Sequence, residues 1–201
     1  MAEEISRARA WTLLNEYTQG PSLLKHALSV ETCMAAWGER QALTLGLDPA
    51  ASSALVEQYR ATGLLHDFDY ERYPSPQEHP FVGVRILAEQ GWPEEIRTAI
   101  LGHALYSGVP RQTHLARALF ASDELSGLLT ACALVKPSRS ILDVEVAGVR
   151  KKMKDKAFAR GVSREDIVLG AAELGVELDE QIVFCLRAMQ TNAAALGLAG
   201  E

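Results

Sequence analysis

Residues 22–37 read SLLKHALSVETCMAAW, in which Leu23, Val30, Cys33, Met34 and Trp37 recur at helical spacing, and apolar residues three and four apart recur along nearly the whole chain. No convincing run alternates with the two-residue period of a strand, so the chain reads as all-α. The punctuation agrees. Gln19-Gly20-Pro21 ends a first helix running from about Glu3 to Tyr17, and Ser22 can cap a second that continues to about Gly46. Asp48 before Pro49 opens a third helix toward His66, since proline fits the first helical position. Shorter helices fit Pro80 to Gln90 and Pro93 to Ala104, and Thr113 can cap a long one reaching about Val135. Asp143 to about Lys154, a helix capped by Ser163 with Asp166 in the capping-box position, and a last one from Asp179 complete seven to nine helices.

The 201 residues, 48% of them hydrophobic, suffice for one substantial core, so a single compact domain is expected. No apolar run approaches the roughly 18 residues that span a bilayer, and MAEEISRARAW is charged rather than signal-like, which predicts a cytoplasmic protein without membrane association. A net charge of -6 gives no general attraction to nucleic acid or anionic lipid, and 6% aromatic content offers little for stacking many bases. Cys33, Cys132 and Cys185 are widely spaced within apolar helical pattern, which suits reduced, buried thiols.

Polar residues on the apolar faces are more informative. His26 shares the buried side of its helix with Leu23, Val30 and Cys33. His103 follows Ile96 and Ile100, and Asp123 follows Leu115 and Leu119 at four-residue steps. A buried carboxylate needs a cation, a donor network or a proton, so Asp123 needs a partner. LLHDFDYERY, residues 64–73, ends a hydrophobic helix on His66 and Asp67. At a helix end the backbone leaves helical geometry, and adjacent side chains can converge rather than diverge by about 100°. Neutral imidazole with carboxylate oxygen is a ligand mix for a divalent first-row metal, and such an ion would satisfy Asp67 and Asp123 together.

An early helical histidine, a His-Asp doublet and a later aspartate, here His26, His66-Asp67 and Asp123, resemble the pattern of the HD-domain metal-dependent phosphohydrolase superfamily. The similarity covers roughly residues 20–135, through LLHD, EHPFVGVRIL and DELSGLL, and leaves about 136–201 as a helical accessory region. Many members carry His-Asp-Ile-Gly where this chain has HDFDY, a departure that touches the loop and not the ligands. In dinuclear members a histidine in a His-Pro-x-x-Gly-like segment and another further on complete a second site. The resemblance therefore implies that His79 and His103 hold a second ion bridged by Asp67, the ions being Mn, Fe, Co, Ni or Mg. His114, next to Thr113, has no counterpart and is expected on the surface.

A metal in such a site acidifies a coordinated water and polarises a phosphoryl oxygen, which suits phosphoester hydrolysis. Asp67 is then central to catalysis, and Asp69 and Glu71 are candidates for protonating the leaving oxygen. VRKKMKDKAFARGVSRED, residues 149–166, reverses the local charge of an acidic chain, and Lys151, Lys152, Lys154 and Lys156 are candidates for holding substrate phosphate. KPSRSILDV and KKMKDKAFARGV also resemble the tail of a little-characterised bacterial subgroup of HD proteins. The leading expectation is a phosphohydrolase of a nucleotide or another small phosphorylated metabolite. Some HD proteins with six such ligands imply a mixed-valence di-iron oxygenase instead, and a non-catalytic nucleotide sensor is a third class. Oligomeric state is not readable from these residues.

Overall fold

The computed structural model describes residues 5–200. Among them the helices are α1 Arg7–Tyr17, α2 Pro21–Leu45, α3 Pro49–Leu65, α4 Phe81–Glu89, α5 Glu94–His103, α6 His114–Leu134, α7 Val146–Lys154, α8 Arg164–Leu174 and α9 Leu178–Thr191. Single 3-10 turns cover Leu105–Ser107 and Ile141–Asp143, and the described residues form no strand. The all-α expectation holds. The expected first turn from about Glu3 lies outside the described residues. Within the single domain expected from length, the packing resolves two compact units, Met1–Leu119 and Phe120–Glu201.

In the first unit α2 and α3 form an antiparallel pair that two glycines bring close. A Cβ on Gly38 would lie 3.1 Å from Tyr59 Cβ and 3.2 Å from Val56 Cα, and one on Gly63 would lie 2.9 Å from Glu31 Cα. Matching Gly38 to Val56 and Tyr59, then Gly63 to Glu31, sets a register that carries His26 opposite the end of α3, where His66 stands. Glu31 is buried at this crossing, and its carboxylate is met by the Arg7 guanidinium at 2.6 and 3.1 Å and by Arg60 at 3.6 Å. A buried charge survives only with such partners. Gly63→Ala is therefore expected to force the helices apart. It should lose about 1–3 kcal/mol in denaturant unfolding and weaken metal binding by the His26–His66 pair. Wild-type stability in that variant would refute the close-approach argument.

The caps mostly follow the sequence signals. Asp48 Oδ1 accepts from the N–H of Ala51 at 2.9 Å with Pro49 at the first helical position, and the α2 C-terminus closes on Gly46 at φ 63°. Thr113 Oγ1 accepts from Ala116 N–H at 3.2 Å, ahead of α6. The expected Ser22 cap is corrected: α2 starts at Pro21 with Gly20 as its cap, so Ser22 lies inside the first turn. The carboxylate of Glu71 instead accepts from the N–H groups of Gln19 and Gly20, at 2.7 and 3.0 Å.

In the second unit Gly170 of α8 lies against α6, where a Cβ would come within 2.7 Å of Ala121 Cα, and Gln181 of α9 donates to the Ala121 carbonyl at 2.9 Å. The C-terminal segment is tied back by Ile141 N–H to Leu198 O at 2.8 Å and by an isolated bridge between Ser140 and Ala199. α7 begins at Val146 rather than Asp143, because Asp143 closes a 3-10 turn and accepts from Ser138 Oγ at 2.5 Å. Ser163 caps α8 through Asp166 N–H at 3.2 Å, but its own N–H donates to Glu124 at 3.1 Å. That contact replaces the reciprocal half of the expected capping box. All three cysteines are buried and unbridged. No helix among the described residues is long and apolar enough to cross a membrane.

Candidate metal centre

The histidines and Asp67 converge where α3 ends. His66 is the C-cap of α3, and the chain continues in tightened turns, with Tyr70 N–H donating to Asp67 O at 3.0 Å and Arg72 N–H to Asp69 O at 3.1 Å. Thr18 Oγ1 donates to the Phe68 carbonyl at 2.9 Å, and the fully buried Phe68 ring meets Tyr17 edge-on at 5.2 Å. Phe68 thereby anchors the segment between the two aspartates.

The donor atoms fall into two groups of three that share one residue: His26, His66 and Asp67, and Asp67, His79 and His103. Asp67 Oδ2 faces His26 Nε2 at 3.8 Å and His66 Nε2 at 3.4 Å. Its Oδ1 faces His79 Nε2 and His103 Nε2, each at 3.2 Å. Within the groups, Nε2 of His26 and His66 are 3.2 Å apart, and Nε2 of His79 and His103 are 3.3 Å apart. Metal–nitrogen bonds of about 2.0–2.1 Å meeting at about 90–110° put donors roughly 3.0–3.4 Å apart, so both pairs are spaced as neighbouring ligands.

The tautomers support the same use. His66 Nδ1 lies 2.8 Å from the Gly63 carbonyl, His103 Nδ1 lies 2.5 Å from the Ile100 carbonyl, and His79 Nδ1 lies 2.7 Å from Asp69 Oδ1. Each acceptor requires the proton on Nδ1, which leaves Nε2 of a neutral ring as a lone pair aimed at Asp67. Three lone pairs and a carboxylate directed into one space repel unless a cation or protons stand between them. Burial opposes charge on His79, but hydrogen bonds and charge from Asp67 and Asp69 prevail and raise it to about 9. Burial likewise opposes the Asp67 charge, and His66, His103 and His79 outweigh it, holding the carboxyl well below its usual range.

Asp69 is 1% exposed, and both of its oxygens are engaged: Oδ1 by His79 Nδ1 and Oδ2 by the N–H of Gly83 at 2.7 Å. A Cβ on Gly83 would lie 2.7 Å from Asp69 Cγ, so only glycine admits this contact. The arrangement orients His79 in the manner of a carboxylate behind a metal-binding histidine. An asparagine at 69 offers one acceptor for two donors. Asp69→Asn should therefore lower metal affinity of the His79–His103 group about 10- to 100-fold in chelator competition, and an unchanged affinity would remove Asp69 from this role.

Neither loop carboxylate is placed as a proton donor. Asp69 accepts from two donors, and Glu71 is held below its usual range by the N–H groups of Gly20 and then Gln19. Asp123 lies on α6 in the second unit, half-buried, with its carbonyl accepting from Ser126 Oγ at 2.9 Å. Lys151, Lys154 and Lys156 are exposed in that unit, whereas Lys152 places its ammonium 4.3 Å from the Phe158 ring. His114 departs from its expected surface position. It is half-buried, shares a 2.7 Å hydrogen bond with the Tyr59 hydroxyl, and meets Trp37 edge-on; burial, then Arg117 and Arg40, lower its pKa.

Sequence reasoning gave no role to Tyr70 or Tyr106, and placed Gly83 only as the glycine of the His-Pro-x-x-Gly-like segment. The Tyr70 ring stands edge-on to His79 at 5.2 Å, and Tyr106 donates to the His79 carbonyl at 3.0 Å. Two aromatics just after a doublet and a ligand histidine were a legible signal, but their convergence on one residue was not.

Fold and donors together define an all-α protein with two linked His/Asp groups suited to divalent metal. The chain matches the family model of the HD domain over residues 23–128, a span that includes His26, His66, Asp67, His79, His103 and Asp123. It belongs to the HD-domain family. No curated protein and no solved structure matches the chain.

Proposed function

We propose that the protein is a metal-dependent phosphohydrolase that acts in the cytoplasm on a nucleotide or another small phosphorylated metabolite. The observation that carries this reading is Asp67, whose two carboxylate oxygens face separate histidine pairs and so can bridge two ions. Bound there, divalent metal supplies an acidified water and a Lewis acid for the phosphoryl group. His26, His66, His79 and His103 present ring nitrogens, Asp69 fixes the His79 ring, and Asp123 is proposed as a further ligand. Asp67 is 24% exposed at its side chain while His66 is fully enclosed, so the carboxylate marks the side from which a phosphoester reaches the ions.

The test begins with the metals that copurify. Chelator-stripped protein is then reloaded with Mn²⁺, Co²⁺, Ni²⁺ or Fe²⁺ and screened against phosphorylated metabolites. Hydrolysis lost on stripping and restored by one of these ions supports the reading, and no phosphate release with any ion overturns it. Oxygen consumption by the iron-loaded protein is followed in parallel, since a bridged pair of His/Asp groups also suits two irons.

The basic segment enters as substrate-phosphate binding by Lys151, Lys152, Lys154 and Lys156. Changing such a lysine to Met is expected to raise KM or lower kcat several-fold, with metal content and folding unchanged. Four single variants with wild-type kinetics would return the segment to an ordinary solvated helix face.

A further inference from the structure

Large apolar side chains are not scattered evenly over the surface of the first unit. Exposed ones are Leu43, Leu45, Tyr70, Phe81, Leu105 and Tyr106, and the last four are near neighbours in sequence of Asp69, His79 and His103. Tyr70 is 41% and Tyr106 54% exposed, yet each is held from one side: Tyr70 by its T-shaped contact with the His79 ring, Tyr106 by its hydroxyl on the His79 carbonyl. Both are thus fixed beside a candidate ligand with much of their surface in water. Exposed apolar surface that is held in place beside a polar site is a feature of ligand sites rather than of inert surface.

We infer that Tyr70 and Tyr106 form an aromatic rim that determines specificity, accepting a planar ring carried by the ester group next to the scissile phosphate. The preferred substrate is then a ring-bearing phosphoester, a nucleobase or aryl compound, rather than a bare sugar or alkyl phosphate. The inference rests on the phosphoester reading of the metal centre and adds to it which part of the substrate lies outside the ions. Tyrosine suits this place because its ring offers a flat apolar face at little rotamer cost, while its hydroxyl can stay hydrogen-bonded. In Tyr106 that hydroxyl is the part that anchors the ring to the His79 backbone.

The test measures binding to Mn²⁺-loaded full-length protein by calorimetry, with adenosine 5′-monophosphate, phenyl phosphate and ribose 5-phosphate as probes. Wild type is expected to bind the ring-bearing probes about 5- to 100-fold more tightly than ribose 5-phosphate, the range that stacking on an aromatic side chain supplies. Preference for both assigns the rim to planar rings in general, and preference for the nucleotide alone assigns it to nucleobases. Tyr70→Ala and Tyr106→Ala should each remove most of that preference, read as the ratio of affinity for the ring-bearing probes to affinity for ribose 5-phosphate at matched metal occupancy. Tyr106→Phe keeps the ring and should keep the preference, which separates stacking from support of His79. Equal loss for all three probes, or no preference in wild type, overturns the rim. Failure of the phosphohydrolase reading is distinct, because it shows as absent phosphate release across the metal screen whatever the order of affinities.

Discussion

Asp67→Ala protein is expected to purify folded, with metal lost from both donor groups and with hydrolysis lost in step. The size of the effect follows from sharing. Every other candidate in the first unit belongs to one group of three, whereas Asp67 supplies Oδ2 to one and Oδ1 to the other. Its removal takes the only anionic member from each group and leaves paired imidazoles whose Nε2 atoms stand 3.2 and 3.3 Å apart. Two neutral ligands bind a divalent ion far less tightly than two with a bridging carboxylate. Asp67→Asn is the companion variant, since it keeps the shape and one carbonyl oxygen but removes the charge. Both are read by elemental analysis after dialysis against metal and by circular dichroism, which reports whether the helices persist. Full metal content in folded Asp67→Ala protein would refute the bridging assignment.

Much of this site was legible because its residues are costly in any other setting. His26, His66, Asp67, His79 and His103 were selected from apolar helical pattern and from the HD resemblance, and they converge. Helix starts were legible where a side-chain cap announces them, as at Asp48 and Thr113. They were not legible where the cap comes from far along the chain. Glu71 serves the start of α2 from 51 residues beyond Gly20, and Glu124 takes the N–H of Ser163 across 39 residues. The same limit explains Asp69. Its distance in sequence from Gly83 and His79 gave no sign that both carboxylate oxygens would be occupied, so a free loop acid was the natural reading. His114 beside its cap reads as surface until Tyr59 and Trp37, from α3 and α2, are brought against it.

Metal number is the second result with a large expected effect. Wild type saturated with metal should hold about two ions per chain, because two three-donor groups are present and one carboxylate can bridge them. His79→Ala and His103→Ala should each reduce this toward one ion by emptying the group around Asp67 Oδ1, while His26→Ala should empty the other. Saturation matters to the comparison. Lost orientation alone lowers affinity about 10- to 100-fold, so an unsaturated single site could imitate a missing one. Asp69→Asn serves as the control: it should weaken the His79–His103 group yet reach two ions at high metal, unlike the loss of a ligand. The pattern also separates the two chemistries that the donor set allows. A di-iron oxygenase requires both ions, so one ion per chain in saturated wild type, by elemental analysis and anomalous scattering, would exclude it along with the bridged pair. A mononuclear phosphohydrolase would remain, with His79 and His103 reassigned from ligands to partners of the Asp67 carboxylate.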